Sequence, residues 1–179
     1  QRHFLSPRTG PFFEHGEAEL YLAWRNGRPV GRISAHVNHA YERRHDAHTG
    51  FFGFFECEDD PATAAALFEA GAAGLRARGK TRVQGPMSFG IYDEIGLLID
   101  GFDTLPPILL THNPPYYPRL WSEWGFRKAI DWLALRITNR DVDPAAMQAE
   151  SRAILAASRL AMSTPTPGDV MRRNGEIFD

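Results

Sequence analysis

The sequence predicts an α/β (α+β) fold built on a mixed, mostly antiparallel sheet with helices on both faces. Three observations predict it: a hairpin signal at Asn26-Gly27, a strand at residues 50–57 that is apolar on both faces, and a helix between that strand and the next one. A tight hairpin joins antiparallel strands, whereas a strand–helix–strand crossover joins parallel ones. A sheet that contains both connections is therefore mixed.

The composition narrows the class of protein. The chain has 179 residues, of which 43% are hydrophobic, and 20 basic side chains stand against 22 acidic ones. This content suits one folded domain rather than a disordered tail, and the balanced charge argues against a nucleic-acid partner. The single cysteine, Cys57, excludes an internal disulfide, and no apolar run reaches the roughly 18 residues of a transmembrane segment. We expect a cytoplasmic protein, with peripheral contact to a membrane as a second option.

The first strands follow from alternation and turn chemistry. Residues 19–25 are apolar at every second position, Asn26-Gly27 is the strongest two-residue hairpin signal, and residues 29–40 form the returning strand. The polar and charged residues 41–49 form a connecting loop. Residues 50–57 are apolar at successive positions, which predicts a strand buried on both sides of the sheet.

The helix that follows has signals at both ends. Asp60 is a good N-cap residue, Pro61 suits the first helical position, and Gly79 ends the helix at 62–78. Its many alanines and glycines indicate close packing against the sheet. The remaining elements, in chain order, are a strand at 80–84, a long loop at 88–105, a strand at 107–111, a helix at 114–124, a strand at 127–137, a helix at 144–160 and a linker at 165–168.

This order of elements resembles that of the GNAT superfamily of acyl-CoA N-acyltransferases, over roughly residues 18–137. The likeness rests on the segment from Asn113 to Phe126, in which an asparagine precedes an aromatic helix that ends at a Gly-Phe pair before the next strand. Further pieces are similar to a little-characterised bacterial branch of that superfamily, some members of which look related to enzymes that N-acylate sphingoid bases: FFEHGEAELYLAW, GRPVGRISA, GFFGFFECEDD, GPMSF and NPPYYP.

The resemblance implies an organisation and a reaction. It divides the chain into an irregular leader at 1–17, a GNAT-like domain at 18–138, and a helix and linker at 139–179 that lead to an absent second half. It implies transfer of an acyl group from a thioester, acyl-CoA as co-substrate, to a primary amine such as a lipid amine, with no tightly bound cofactor. Contact with the absent C-terminal half, or with a second copy in a homodimer, is expected.

One turn departs from the GNAT pattern. Where those enzymes carry a glycine-rich turn that holds the pyrophosphate of coenzyme A at a helix N-terminus, this chain has ECEDDP at 56–61. Each acid near the helix start repels a phosphate by about 0.3–1 kcal/mol, and Pro61 removes one N–H donor. Three outcomes stay open: the phosphates bind elsewhere, the donor is a carrier protein, or this half has lost catalysis.

Glu56 and Tyr117 are the first candidates for catalysis, since N-acyl transfer needs a base for the amine and an acid for the departing thiolate. Glu56 lies near the end of the buried strand, where several GNAT enzymes place their base, and burial there would favour proton acceptance. The alternative is a strand-end carboxylate that faces solvent. Tyr117 lies in the helix that approaches the thiol in the family. The alternative is that Tyr116 and Tyr117 are packing residues.

The loop at 88–105 supplies a second set of candidates. Asp93 and Glu94 bind the amine or act as the base, because long loops in compact domains often carry function; the alternative is a solvated loop. Three further residues are assigned to the substrate side: Ser88, Tyr92 and His112. His112 is a better candidate for acid–base chemistry than the other histidines.

Four residues lie where the family holds its thioester: Phe55, Cys57, Asn113 and Tyr116. Asn113 hydrogen-bonds the pantetheine arm or, alternatively, caps the helix that follows it. Core packing is the alternative for Phe55 and Cys57.

No metal site is expected from the histidines. His36 and His39 lie three apart on a predicted strand and so point to opposite faces. His45 and His48 lie in a polar loop without a recognisable ligand pattern.

Three hypotheses of function follow. The first is an N-acyltransferase whose thioester lies in a gap where the strands ending near Cys57 and Gly85 splay apart. The second is a non-catalytic GNAT-like half that supports a catalytic partner domain, which the acidic turn motivates. The third is a peptide- or lipid-binding module with exposed aromatic residues: Tyr116, Tyr117, Trp121 and Trp124.

Overall fold

The structure is a computed structural model, which describes residues 3–108, 110–138, 140–158, 164 and 166–172. The chain divides into two compact units, Gln1–Trp132 and Leu133–Asp179. The first unit contains the sheet and every candidate residue named above.

In the described residues, the first unit contains four strands and three α-helices, and the second contains two further helices. A short 3-10 helix at Pro11–Glu14 precedes the sheet. The strands are β1 (Gly16–Arg25), β2 (Arg28–Asn38), β3 (Thr49–Cys57) and β4 (Arg82–Gln84). The helices are α1 (His39–Arg44), α2 (Pro61–Ala77), α3 (Tyr117–Trp124), α4 (Pro144–Ser158) and α5 (Pro167–Arg172).

The strands form one mixed sheet in the order β1-β2-β3-β4. The pairs β1/β2 and β2/β3 are antiparallel, whereas β3/β4 is parallel. The hairpin between β1 and β2 turns at Asn26 (φ 50°) and Gly27 (φ 76°), the two left-handed conformations that a type I′ turn needs. A mixed, mostly antiparallel sheet with helices is therefore confirmed.

The helices α2 and α3 bury one face of the sheet. Phe68 of α2 is fully buried and stacks on Phe52 and Phe55 of β3, with ring centroids 6.1 and 5.2 Å apart. Trp121 of α3 packs edge-on against Phe68 at 5.0 Å. The buried face of each element carries large apolar side chains, so this layer forms the main hydrophobic core.

A second aromatic cluster covers the opposite face of the sheet. His36 of β2 is 1% exposed, and its ring contacts those of Phe12, Phe51 and Phe89. Phe12 comes from the 3-10 helix and stacks on Phe89 of the long loop at a centroid distance of 4.1 Å. The predicted leader and the predicted loop thus pack together over the sheet.

We expect His36 to make the fold sensitive to acid. Burial lowers the pKa of His36 from 6.5 to about 3. Between these two pH values, His36 is therefore protonated in the unfolded chain and neutral in the folded chain. The free energy of unfolding should fall by about 2 kcal/mol between about pH 7.5 and pH 5 from this residue alone. Urea unfolding at both pH values measures it, and His36→Leu should remove this share. His45→Leu, at an exposed site, is the control. If His36→Leu and wild type lose equal stability on acidification, or if His45→Leu reduces the acid sensitivity as much as His36→Leu does, His36 is not the cause of that sensitivity.

Residues 39–44 form a helix, so the prediction that the strand reaches residue 40 and that 41–49 is a loop is wrong. The side chain of Asn38 accepts a hydrogen bond from the backbone N–H of Tyr41, at 3.0 Å, and so caps a short helix. The polar composition of this stretch concealed that cap.

Two further predicted strands are absent from the described residues of the sheet. Residues 107–111, of which 109 lies outside the described residues, and residues 127–137 show no strand. The alternating side chains of the second stretch are exposed, among them Leu133 at 84% and Leu135 at 81%. Alternation alone does not make a strand, because each backbone N–H and C=O also needs a partner strand, and none of the four described strands pairs with it.

The second unit is helical where it is described. Helix α4 agrees with the predicted helix, whose last two residues, 159 and 160, lie outside the described residues. Helix α5 begins inside the predicted linker, of which residue 165 also lies outside them. Among the described helices, none is both long enough and apolar enough to cross a bilayer.

Candidate active site

A bulge in β3 sets the geometry of the site. Arg32 of β2 pairs with Glu56, but Ser34 pairs with Gly53, so an advance of two residues along β2 corresponds to three residues along β3. Phe54 lies at the bulge with φ 49°, a left-handed conformation that is strained for a bulky residue. Phe55 consequently enters the core, while Glu56 leaves it as an exposed residue.

The gap between β3 and β4 exists but is nearly filled. Parallel pairing stops at Phe51 and Gln84, after which Met87 N–H donates to Phe52 O at 2.7 Å. A Cβ on Gly53 would lie 2.1 Å from Met87 O, so only glycine allows this approach. The cavity that remains is about 60 Å³. The prediction that a gap between these strands is wide enough to hold the thioester is therefore wrong, because the chain at Met87 closes on Phe52 and Gly53 and fills most of that space.

Glu56 and Tyr117 form a hydrogen-bonded pair at the end of β3. Tyr117 Oη donates to Glu56 Oε2 at 2.7 Å and accepts from the backbone N–H of Cys57 at 3.0 Å. Tyr116 Oη donates to Cys57 O at 2.8 Å. Two phenols at the start of α3 thus bind the end of β3. Sequence reasoning had also assigned Glu56 and Tyr117 to one site.

The two members of the pair differ in burial. Tyr117 is 3% exposed, and burial, followed by the hydrogen bond to Glu56, raises its pKa above the ordinary tyrosine value. Burial also raises the pKa of Tyr116. The side chain of Glu56 is 58% exposed, so the prediction of a buried carboxylate is wrong: the bulge turns it towards solvent, with Arg32 Nη2 at 3.8 Å. The pair therefore joins a buried phenol that stays protonated to an exposed carboxylate.

Tyr117→Phe tests how much the phenol contributes to the fold. The phenylalanine keeps the ring in the core but leaves the Cys57 N–H without its acceptor, so the free energy of unfolding should fall by about 1–3 kcal/mol. Urea unfolding measures this. Tyr92→Phe is the matched control, because Tyr92 is 86% exposed. Equal stability of both variants and wild type would show that the Tyr117 hydroxyl has no structural role.

An open cleft of about 600 Å³ lies beside this pair, a size that suits a small organic substrate. Glu56 and Tyr117 line both this cleft and the small cavity, so they form the wall between the two. The other residues that line the cleft come from the hairpin, from the turn after β3 and from the start of α3: Leu22, Arg25, Asn26, Arg28, Pro29, Val30, Gly31, Arg32, Cys57, Glu58, Pro114 and Tyr116.

The acids of the 56–61 turn are paired with arginines. Arg25 forms ion pairs with Glu58 and with Asp60, the latter at 2.5 Å, and Arg119 pairs with Asp59. Asp60 also caps α2, because its carboxylate accepts from the backbone N–H groups of Ala62 and Thr63. The pKa of Asp60 is lowered to about 2, mainly by the hydrogen bonds that Thr63 donates. These two N–H groups of the helix start, those of Ala62 and Thr63, are thus already used.

Asn113 connects the long loop to the chain before α3. It is 5% exposed, accepts from Leu98 N–H at 2.7 Å through Oδ1 and donates to Pro114 O at 2.9 Å through Nδ2. Helix α3 begins at Tyr117 without a side-chain cap, so the prediction of a helix from 114 and the alternative of Asn113 as its cap are wrong. The Asn113 amide instead holds the loop, where a polar group buried without partners would be costly.

The loop candidates separate into two groups. Ser88, Glu94 and His112 line the small cavity, and Ser88 Oγ accepts from Phe54 N–H at 3.2 Å, which supports the bulge. Asp93 and Tyr92 line neither cavity. Burial raises the pKa of Asp93. The backbone N–H of Asp93 donates a hydrogen bond to Gly90 O at 3.1 Å.

The remaining candidates are mainly packing residues. Cys57 is 6% exposed, and burial, ahead of Asp60, raises its pKa to about 11, so the thiol stays protonated and unreactive at neutral pH. Phe55 packs between Phe68 and Tyr117. Within the described ranges, no three His, Cys, Asp or Glu side chains are placed to hold a metal ion.

The hypothesis of a peptide- or lipid-binding module required an exposed aromatic surface on α3, and half of that surface is buried. Tyr117 and Trp121, which it counted as exposed aromatic residues, are each 3% exposed and belong to the main core. The helical spacing that suggested an outer aromatic face is the spacing of a buried one.

Sequence reasoning missed Arg32, Leu22 and Pro114 as residues of the cleft. Arg32 and Leu22 are cross-strand neighbours in the hairpin. The two-residue turn at Asn26-Gly27 predicts approximately this pairing, so the signal was present. Their position beside Glu56, however, depends on the bulge in β3.

The fold and this geometry define an α+β protein with a carboxylate–tyrosine pair at the wall of an open cleft. The chain is similar to the protein named bacterial ceramide synthase from Caulobacter vibrioides (strain NA1000 / CB15N), with 46% identity over 136 residues, which are 74% of this chain and 35% of that protein. It is also similar to protein YghO of Escherichia coli (strain K12), with 37% identity over 132 residues, 74% of this chain and 34% of that protein.

The chain thus spans about a third of the length of these two curated relatives. No family model matches the chain. No solved structure matches it either.

Proposed function

We propose that this chain carries the acyl-transfer site of an N-acyltransferase, which moves an acyl group from a thioester to a primary amine of a lipid. The observation that carries the proposal is the hydrogen-bonded Glu56–Tyr117 pair at the wall of the 600 Å³ cleft. The name of the relative from Caulobacter vibrioides supports the choice of a lipid amine as acceptor. The resemblance of the sequence pieces, such as the segment from Asn113 to Phe126, to acyl-CoA N-acyltransferases supports a thioester such as acyl-CoA as donor.

The pair supplies the two proton transfers of such a reaction. Glu56 takes a proton from the substrate ammonium and releases it to water through its exposed side. The free amine then attacks the thioester carbonyl, so that the C–N bond forms and the C–S bond breaks. Tyr117 gives its proton to the departing sulfur, and the second amine proton returns to Tyr117 through Glu56. The products are an amide, a thiol and one proton in solution, and both side chains end as they began.

The burial of the two groups suits these roles. Tyr117 is protonated at neutral pH and therefore carries a proton for the departing sulfur, although burial raises its pKa and makes it a weaker acid than an exposed tyrosine. Glu56 faces the cleft from the strand end, where an amine can approach it. The donor's phosphates do not use the start of α2, where the Asp60 carboxylate already accepts from the N–H groups of Ala62 and Thr63.

The test uses the full-length protein, a long-chain sphingoid base and acyl-CoA. We expect mass spectrometry to detect the N-acylated base and a thiol reagent to detect release of coenzyme A in equal amount. Calorimetry with acyl-CoA measures binding separately from turnover. If neither the amide nor binding of the thioester is detected with a series of acyl lengths, the proposal is wrong.

The second candidate is a non-catalytic half that supports a catalytic partner domain. The specific observation in its favour is the start of α2, where the capped N–H groups and acidic residues leave no place for a phosphate. The double variant Glu56→Gln/Tyr117→Phe in the full-length protein separates the two. Wild-type turnover by a folded double variant would favour the supporting role.

A further inference from the structure

An apolar strip lies on the outer face of the edge strand β1. Leu20, Leu22 and Trp24 alternate along the strand and are 51%, 58% and 61% exposed. The residues between them, Tyr21 and Ala23, pack against the main core on the opposite face. An ordinary edge strand carries polar or charged residues on its outer face, so three large apolar side chains in a row indicate a contact surface.

Arginines border this strip. Arg32 is the cross-strand neighbour of Leu22 and is 46% exposed, and Arg28 is exposed at the hairpin turn. We refer to Leu20, Leu22, Trp24, Arg28 and Arg32 as the hairpin face. The acids of the 58–60 turn pair with Arg25 and Arg119. Arg32 lies 3.8 Å from Glu56, so Arg28 supplies the positive charge of this face that no acid of the described residues pairs with.

We propose that the hairpin face docks on the surface of a lipid bilayer that contains anionic lipids. Tryptophan and leucine side chains enter the interfacial region, while arginine heads stay with the phosphates and their stems lie along the apolar surface. A second copy of this chain fits less well, because a two-fold contact through the strip would bring Arg28 and Arg32 of both copies close together. The occupant that matches both the apolar strip and its positive border is a membrane.

The position of the hairpin face connects it to the cleft. Leu22, Arg28 and Arg32 belong to the hairpin face and also line the 600 Å³ cleft next to Glu56. A docked protein therefore presents the mouth of the cleft to the lipid surface, from which a lipid amine enters without crossing water. This part of the inference rests on the proposed function, whereas the docking itself does not.

The experiment measures co-sedimentation of the full-length protein with vesicles of phosphatidylcholine, with and without phosphatidylglycerol. We expect binding that increases with phosphatidylglycerol, and about tenfold weaker binding by Leu20→Ala/Trp24→Ala, because two apolar side chains no longer enter the interface. Arg28→Glu should weaken binding by about tenfold with phosphatidylglycerol and little without it, because the substitution replaces a charge that anionic lipids attract with one that they repel. Leu105→Ala is the control, because Leu105 is 94% exposed and lies outside the hairpin face.

Three results would overturn the proposal: no sedimentation of the wild type with either vesicle, equal binding by Leu20→Ala/Trp24→Ala and wild type, or a change from dimer to monomer in that variant. The test is separable from that of the proposed function. Leu20 and Trp24 do not line the cleft, so the variant should turn over a short-chain, water-soluble amine at the wild-type rate. Vesicle binding without any turnover would contradict the proposed function alone, and turnover without vesicle binding would contradict the docking alone.

Discussion

Glu56→Gln in the full-length protein is expected to lower kcat by about 10²–10⁴, the range that a positioned general base contributes. Glutamine has nearly the same shape, and its Oε1 still accepts the hydrogen bond that Tyr117 donates at 2.7 Å in the wild type. The variant therefore keeps the site and loses only the proton acceptor. Steady-state turnover of acyl-CoA and a sphingoid base measures kcat and KM separately, and we expect the loss in kcat.

Glu58→Gln is the matched control for this variant. Glu58 lines the same cleft and is also partly exposed, but it forms an ion pair with Arg25 rather than a bond with Tyr117. Its substitution should leave kcat within a few-fold of wild type, since an exposed ion pair contributes about 0–1 kcal/mol. If Glu58→Gln loses as much turnover as Glu56→Gln, or if Glu56→Gln loses none, Glu56 is not the base.

Phe68→Ala is expected to reduce the free energy of unfolding by about 3–5 kcal/mol, the usual cost of removing a buried phenylalanine from a packed core. Phe68 is fully buried, and its ring contacts Phe52, Phe55 and Trp121 from two strand positions and one helix. The cavity would lie where β3, α2 and α3 meet, so the surrounding side chains cannot close it without moving the end of β3. Urea unfolding at neutral pH measures the change.

Because Phe55 and Trp121 hold the strand end and helix that carry Glu56 and Tyr117, the same variant should also weaken the site. Ile108→Ala is the control, because Ile108 is 93% exposed and its removal leaves no cavity. A loss below about 1 kcal/mol for Phe68→Ala would show that the core rearranges to fill the space, contrary to the packing described above.

Several elements were predictable because their causes are local. The hairpin follows from Asn26-Gly27, whose preferred conformations make the turn, and α2 follows from the cap at Asp60 and the proline after it. The burial of β3 follows from the apolar residues at 50–55, which occupy both faces of the strand. Helix α1 was missed although its cause is also local, the Asn38 cap, because a single capping residue in a charged stretch is a weak signal.

The stretch at 127–137 shows the opposite case. Its alternating pattern describes which side chains a strand would bury, but a strand forms only beside a partner that satisfies its backbone, and the described sheet offers none to it. The exposure of Leu133 and Leu135 is therefore a property of the tertiary arrangement that no local pattern contains.

The sequence by itself determined the strands of the mixed sheet, the main helix that covers it, and the residue types of the site, because turns, caps and periodicity act over a few neighbouring residues. Only the tertiary structure decided how those residues meet. The bulge at Phe54 turns Glu56 out of the core, α3 brings Tyr117 to it across 61 positions of chain, and Arg25 pairs with acids that seemed free. Such contacts depend on strand register and on the packing of distant elements, which are properties of the whole folded chain.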